Sequence, residues 1–144
     1  MCLEMAVTRP DDVLGRGKHA GYEWIVTNNG LGFRCGYVRL PMGHPWHGQK
    51  TDDLDDVQVH GGITFADPDV DCGKGEDSAW WIGFDCFHCG ADLPDPSLRC
   101  KDPMIYNMFS LFTGAEIRTQ EYVESECRSL CEQAAKAAHG GGRP

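Results

Sequence analysis

The apolar positions change period along the chain, and those changes mark the elements. Tyr22-Glu23-Trp24-Ile25-Val26-Thr27 is rich in aromatic and β-branched residues and is followed by Asn28-Asn29-Gly30. Asparagine and glycine supply the positive backbone angles of tight turns, so the segment predicts a strand that folds back on itself. The return strand runs from Gly32 to Leu40 and stops at Pro41. Val57 to Phe65 reads as a further strand interrupted by Gly61-Gly62, where a bulge or a close approach is expected. Trp80-Trp81-Ile82-Gly83-Phe84 is a continuous apolar run of buried-strand length. Tyr106 to Phe112 is apolar without a decisive period. From Gln120 to Ala138 the period becomes helical, with Val123, Cys127, Leu130, Cys131, Ala134 and Ala138 at three- and four-residue steps. Thr119 suits an N-cap, Glu121 suits the first turn, and Gly140-Gly141-Gly142 ends the helix.

Strands first and one long amphipathic helix last predict an α+β domain: an antiparallel sheet of four to five strands with the C-terminal helix packed on one face. Residues 1–20 hold Pro10, Gly15 and Gly17 and sustain no period, so they read as a loosely ordered lead-in. The domain is expected over 21–139 and a disordered tail over 140–144. Pro and Gly punctuation places loops at 41–48, 66–79 and 90–104.

Composition narrows the partners. The chain has 144 residues, enough for one core, and a formal net charge of −9. Twelve of its acidic residues fall between 51 and 95 against one base, Lys74. That argues against duplex nucleic acid, which needs clustered Lys and Arg. No apolar run reaches eighteen residues and the N-terminus lacks a signal-peptide succession, so the expectation is a cytoplasmic protein with no membrane partner. In that compartment eight cysteines read as free thiols or metal ligands rather than disulfides.

The candidate chemistry lies in loops and at strand ends. Gly43-His44-Pro45-Trp46-His47 concentrates functional side chains in a loop, although a loop tryptophan also serves simply by covering a core edge. Asp52-Asp53-Leu54-Asp55-Asp56 lacks the ligand spacing of a calcium loop and reads as a solvated acidic turn. Asp85-Cys86-Phe87-His88-Cys89 supports three readings. Cys86 and Cys89 have zinc-knuckle spacing, with only the single cysteines Cys72 and Cys100 to complete a site, so zinc is a candidate cofactor. A redox dithiol would need a helix N-terminus, and prolines follow instead. In the third reading Asp85 and His88 join His60, beside Gly61 and Gly62, in a polar pocket with Trp80 or Trp81. Aromatic rings with convergent polar groups suit a flat base or sugar. Cys127 and Cys131 sit on the apolar helix face as small hydrophobes.

Taken together, Gly43-His44-Pro45-Trp46, Val59-His60-Gly61-Gly62-Ile63-Thr64-Phe65, Trp81-Ile82-Gly83-Phe84-Asp85-Cys86-Phe87-His88 and Tyr122-Val123-Glu124 resemble a family of small uncharacterised bacteriophage proteins. The likeness covers roughly residues 36–135. Members carry Asp-x-x-His-x-Gly-Asp, whereas one more residue precedes Asp92 here, so Asp92 receives no site role from the pattern. The resemblance implies a phage accessory protein of the infected host cell with an anti-defence role. Its expected action is to bind and sequester a small nucleotide-like ligand, such as a host immune signal. The ligand-binding residues would be His44, Trp46, His47, His60, Gly61, Gly62, Trp80, Trp81, Asp85 and His88. The alternative is a nucleotide phosphodiesterase-type hydrolase, metal-dependent or not, with His60, Asp85 and His88 catalytic. A second alternative is an acidic protein that inhibits a host factor by contact, and a homo-oligomer is compatible with each.

Overall fold

The computed structural model describes residues 12–68, 79–98, 100, 102–109, 111 and 114–140. Among the described residues the strands are β1 (Val13–His19), β2 (Tyr22–Asn28), β3 (Arg34–Leu40), β4 (Phe65–Pro68), β5 (Trp80–Asp85), β6 (Asp92–Leu93) and β7 (Glu116–Ile117). Two helices, α1 (Pro103–Phe109) and α2 (Gln120–Gly140), complete the described elements. The main sheet has the order β1-β2-β3-β5-β4 with every neighbouring pair antiparallel, while β6 and β7 make a short parallel pair. This is the expected α+β arrangement.

The expected hairpin is β2–β3, with Trp24 opposite Val38 and Thr27 opposite Cys35. Its connection is longer than a two-residue turn. The Asn28 side-chain oxygen accepts from the amides of Gly30 and Gly32 at 3.0 and 3.1 Å, which closes the loop together with the Asn29 amide bond to the Phe33 carbonyl at 2.9 Å. Along α2, Val123, Cys127, Leu130, Cys131 and Ala134 are buried against Trp24, Val26, Val38, Ile82 and Phe84 of the sheet. Thr119 caps the helix, its hydroxyl oxygen accepting the Tyr122 amide at 3.1 Å.

Two expectations about strands change. Residues 13–19 of the expected lead-in form the edge strand β1, joined to β2 by Ala20 and Gly21, both at positive φ (53° and 90°). The pattern hides this strand because two of its inward positions are glycines. A Cβ on Gly17 would come within 2.7 Å of the Trp24 ring, so the indole of β2 fills the volume that a β1 side chain would occupy. Residues 1–11 and the tail 141–144 lie outside the described residues. The second change concerns Val57 to Phe65, where the strand begins only at Phe65. Gly61 and Gly62 both adopt positive φ (70° and 81°), and the Gly62 amide bonds back to the Val59 carbonyl at 2.8 Å. Two such angles in succession make a turn, not a pleat.

The acidic run forms a 3-10 turn at Thr51–Leu54 in which Leu54 is buried while Asp52, Asp53, Asp55 and Asp56 face solvent. Cys35, Cys86, Cys127 and Cys131 are buried free thiols and Cys89 is exposed. Burial pushes the thiols of Cys35 and Cys131 up to about 12 and raises Cys86 and Cys127 as well. Since the thiolate is the reactive form, iodoacetamide at pH 8 will modify Cys89 in the folded protein and spare these four until denaturant is added. Peptide mapping by mass spectrometry checks this, and rapid labelling of Cys127 or Cys131 in the native state would contradict it.

Candidate functional site

The organising group is Asp92, at the start of β6, whose side chain is fully buried. Its Oδ1 lies 2.8 Å from Arg118 Nε and 3.0 Å from His60 Nε2. Its Oδ2 accepts the backbone amide of His88 at 3.0 Å and lies 2.8 Å from His88 Nδ1. A lone carboxylate in such a place would be driven towards its neutral form. Burial does push Asp92 up, but the hydrogen bonds from Arg118, His88 and His60 outweigh it and hold the carboxyl below its ordinary value. Asp92 is therefore ionised, and in turn its hydrogen bond raises Arg118 further.

Each partner comes from a different part of the chain. His60 is set by α2: its backbone amide donates to Glu126 Oε1 at 2.8 Å and its Nδ1 lies 2.9 Å from the Tyr122 hydroxyl. Both ring nitrogens are thus occupied, and the ring is only 12% exposed. Tyr122 is raised by burial and by the neighbouring Glu126 carboxylate, so its hydroxyl stays protonated. Arg118 lies 5.4 Å over the Tyr122 ring, one helical turn ahead of it.

His88 follows the end of β5 and presents Nδ1 to Asp92 while its Nε2 lies 3.7 Å from Asp85 Oδ1. Its side chain is 34% exposed, which makes it the member of the pair that reaches solvent. Asp85 is fixed by the Thr64 hydroxyl (2.9 Å) and the Phe87 amide (3.1 Å). The His60 and His88 rings meet edge to face, with centroids 5.4 Å apart. Gly61 makes that approach feasible, because a Cβ there would fall 2.3 Å from His88 Cε1 and 2.4 Å from Nε2. The paired glycines therefore serve the turn and also leave room for the His88 ring.

The structure places His60, Gly61, His88 and Asp85 next to one another. The convergence is on Asp92, however, with Asp85 at its outer edge. The remaining expected residues lie elsewhere. His44 is buried, with Nε2 donating to the Ala134 carbonyl at 2.8 Å and Nδ1 accepting the Trp46 amide at 3.0 Å. Burial lowers its pKa, which fits a neutral ring that locks the 41–48 loop to α2. Trp46 lines a groove of about 630 Å3 with Gln58, Gln133 and Lys136. His47 packs on Trp80, whose indole N–H donates to the Gln49 carbonyl at 3.1 Å. Trp81 is fully buried on the sheet face opposite α2, beside Ile25. Cys86 is buried and Cys89 exposed, so the two thiols of the expected knuckle do not face one point, and Cys72 lies outside the described residues.

Sequence reasoning did not single out Asp92, Arg118, Tyr122 or Glu126 for a site. The usable signals are the four-residue steps His88 to Asp92 and Arg118 to Tyr122 to Glu126, the latter on one face of α2 and its entry. Among the described residues, the histidine, cysteine and carboxylate side chains that could hold a metal ion as a group are His60, His88 and Asp92, with ligand atoms within 4.8 Å of one another.

No family model, curated protein or solved structure matches this chain. Chemical capability therefore rests on the geometry: a buried ionised carboxylate orienting two imidazoles, one of them solvent-facing, beside a guanidinium. Among the described residues no helix is long and apolar enough to cross a membrane.

If Asp92 holds this cluster together, Asp92→Asn should destabilise the protein by about 3 kcal/mol, in the range for breaking a buried charge pair. Urea unfolding measures it, and a change within about 0.5 kcal/mol, typical of surface substitutions, would contradict the assignment.

Proposed function

We propose that the protein binds a small nucleotide-like ligand at this cluster, as a phage accessory protein that withholds such a signal from its host. The observation that carries the reading is the convergence of His60, His88 and Arg118 on one buried carboxylate, with the His88 ring facing solvent. A phosphate is recognised by directional N–H donors placed in advance; here the outward-facing Nε2 of His88, 3.7 Å from Asp85 Oδ1, is the donor left for it, the other ring nitrogens and Arg118 Nε being engaged by Asp92 and Tyr122. An exposed aromatic ring, Phe87, lies next to His88 in the chain and stacks on Phe109 at 5.1 Å. It offers a flat surface to a base, a role the buried Trp81 does not fill. Phage origin and anti-defence action come from the resemblance of motifs alone.

Native mass spectrometry with a panel of mono-, di- and cyclic nucleotides tests the reading. One intact ligand per chain is expected, with affinity at least about tenfold weaker in His88→Ala and unchanged in Trp46→Ala, since one lost charge-assisted hydrogen bond is worth about 1.5–3 kcal/mol. Equal binding by the wild type and His88→Ala would place the ligand elsewhere, and no binding by any nucleotide would end the proposal.

The His88–Asp92 contact of 2.8 Å also favours a second reading, in which the same ligand is cleaved. A carboxylate that orients an imidazole is the arrangement of a general base. His88 would take a proton from water as its oxygen bonds to phosphorus and the ester P–O bond breaks, the leaving oxygen being protonated by solvent. Products in place of intact ligand would establish this reading over sequestration.

A further inference from the structure

We infer that His60 Nε2, His88 Nδ1 and an Asp92 carboxylate oxygen form a binding site for one divalent transition-metal ion of the zinc class. The site deepens the proposed function, on which it rests only for the identity of the ligand that would meet the ion's open positions.

Three observations lead here. The first is spacing. His60 Nε2 lies 3.0 and 3.2 Å from the two Asp92 oxygens, and His88 Nδ1 lies 2.8 Å from Oδ2. Metal–ligand bonds of about 2.0–2.1 Å at tetrahedral angles put ligand atoms about 3.3 Å apart, so both His–Asp separations are within a few tenths of an ångström of coordination spacing, and all three ligand atoms lie within 4.8 Å of one another. Two imidazoles and one carboxylate are also a common donor set for such ions, and three protein ligands leave positions open.

The second observation is the outer shell. A metal-bound histidine needs an acceptor for its other ring N–H, which fixes the ring and its tautomer. His60 has the Tyr122 hydroxyl at Nδ1, and His88 has Asp85 beyond Nε2 at 3.7 Å, itself pinned by Thr64 and Phe87. On Asp92, Arg118 takes Oδ1 and the His88 amide takes one lone pair of Oδ2, which orients the carboxylate and leaves the second lone pair of Oδ2 for an ion. The third observation is charge. Around the two rings, the carboxylates of Asp85, Asp92 and Glu126 face the single guanidinium of Arg118, which leaves two formal negative charges, matching a divalent cation.

The same three residues cannot play every part at once. With the ion in place, His88 Nδ1 is a ligand and carries no proton towards Asp92, so the ring is held by coordination rather than by the carboxylate. The cysteine pair predicts a different donor set, which makes the site separable from the zinc-knuckle reading by its ligands.

The test uses the full-length protein, freed of metal by chelator and titrated with Zn2+ alone by isothermal calorimetry, with X-ray absorption at the zinc edge. One ion per chain is expected, with a first shell of nitrogen and oxygen only. His88→Ala should weaken binding at least tenfold. Tyr122→Phe, which removes an outer-shell acceptor and no ligand, should weaken it by about tenfold, the low end of such effects. Cys89→Ser should bind as the wild type does. Sulfur in the shell, or equal affinity in the wild type and His88→Ala, would overturn the inference, as would absence of Zn2+ binding. Nucleotide titrations repeated in chelator separate the two proposals. Nucleotide binding without Zn2+ binding would overturn the metal site and leave the proposed function, and Zn2+ binding without any nucleotide binding would do the reverse.

Discussion

A single buried carboxylate sets the terms for half of this structure. Asp92 has no exposure to water, so its charge must be met by protein donors, and Arg118, His60 and the ring and amide of His88 all meet it. Those donors come from the turn before β4, the loop after β5 and the approach to α2. Removing an ion from water costs several kcal/mol unless it is so compensated. The same requirement therefore fastens three irregular segments to one point and fixes two imidazoles at van der Waals distance.

The regular elements make that fastening possible without contributing the chemistry. β5, between β3 and β4, ends at Asp85 and delivers the loop that carries His88. α2 packs its Val123–Cys127–Leu130 face on the sheet and so presents Tyr122 and Glu126 to His60. Gly61 is the hinge of the arrangement, because its positive φ shapes the turn and its missing Cβ admits the His88 ring. The sheet and helix form the scaffold and the site sits on its irregular edge, the usual division of labour between elements and loops.

The sheet, the β2–β3 hairpin and α2 were legible because their side-chain periods are unmasked: aromatic and β-branched runs for strands, three- and four-residue steps for the helix. β1 was not, because glycines stand at 15 and 17, where the Gln120 and Glu124 side chains and the Trp24 indole fill the space, and that breaks the alternation of side chains along the strand. His60 and His88 could be chosen from their residue types and glycine neighbours. Asp92 was not chosen, since apart from its four-residue step from His88 little in a short Asp-Leu segment distinguishes a buried hub from another acid in an acid-rich stretch. Its importance arises from non-local partners such as Arg118, twenty-six residues on. The tryptophans misled for the opposite reason: their size marks them as anchors, and Trp80 and Trp81 are used in the core.

The central claim is that one carboxylate and two imidazoles form the binding centre. Nitrogen-15 spectra of histidine-labelled protein, recorded with and without Zn2+, test it most directly. The account predicts that His60 Nε2 and His88 Nδ1 move to the shifts of metal-bound imidazole, while His44, bonded through both nitrogens to the backbone, stays where it was. Unchanged His60 and His88 signals, or a response confined to His44 and His47, would contradict it.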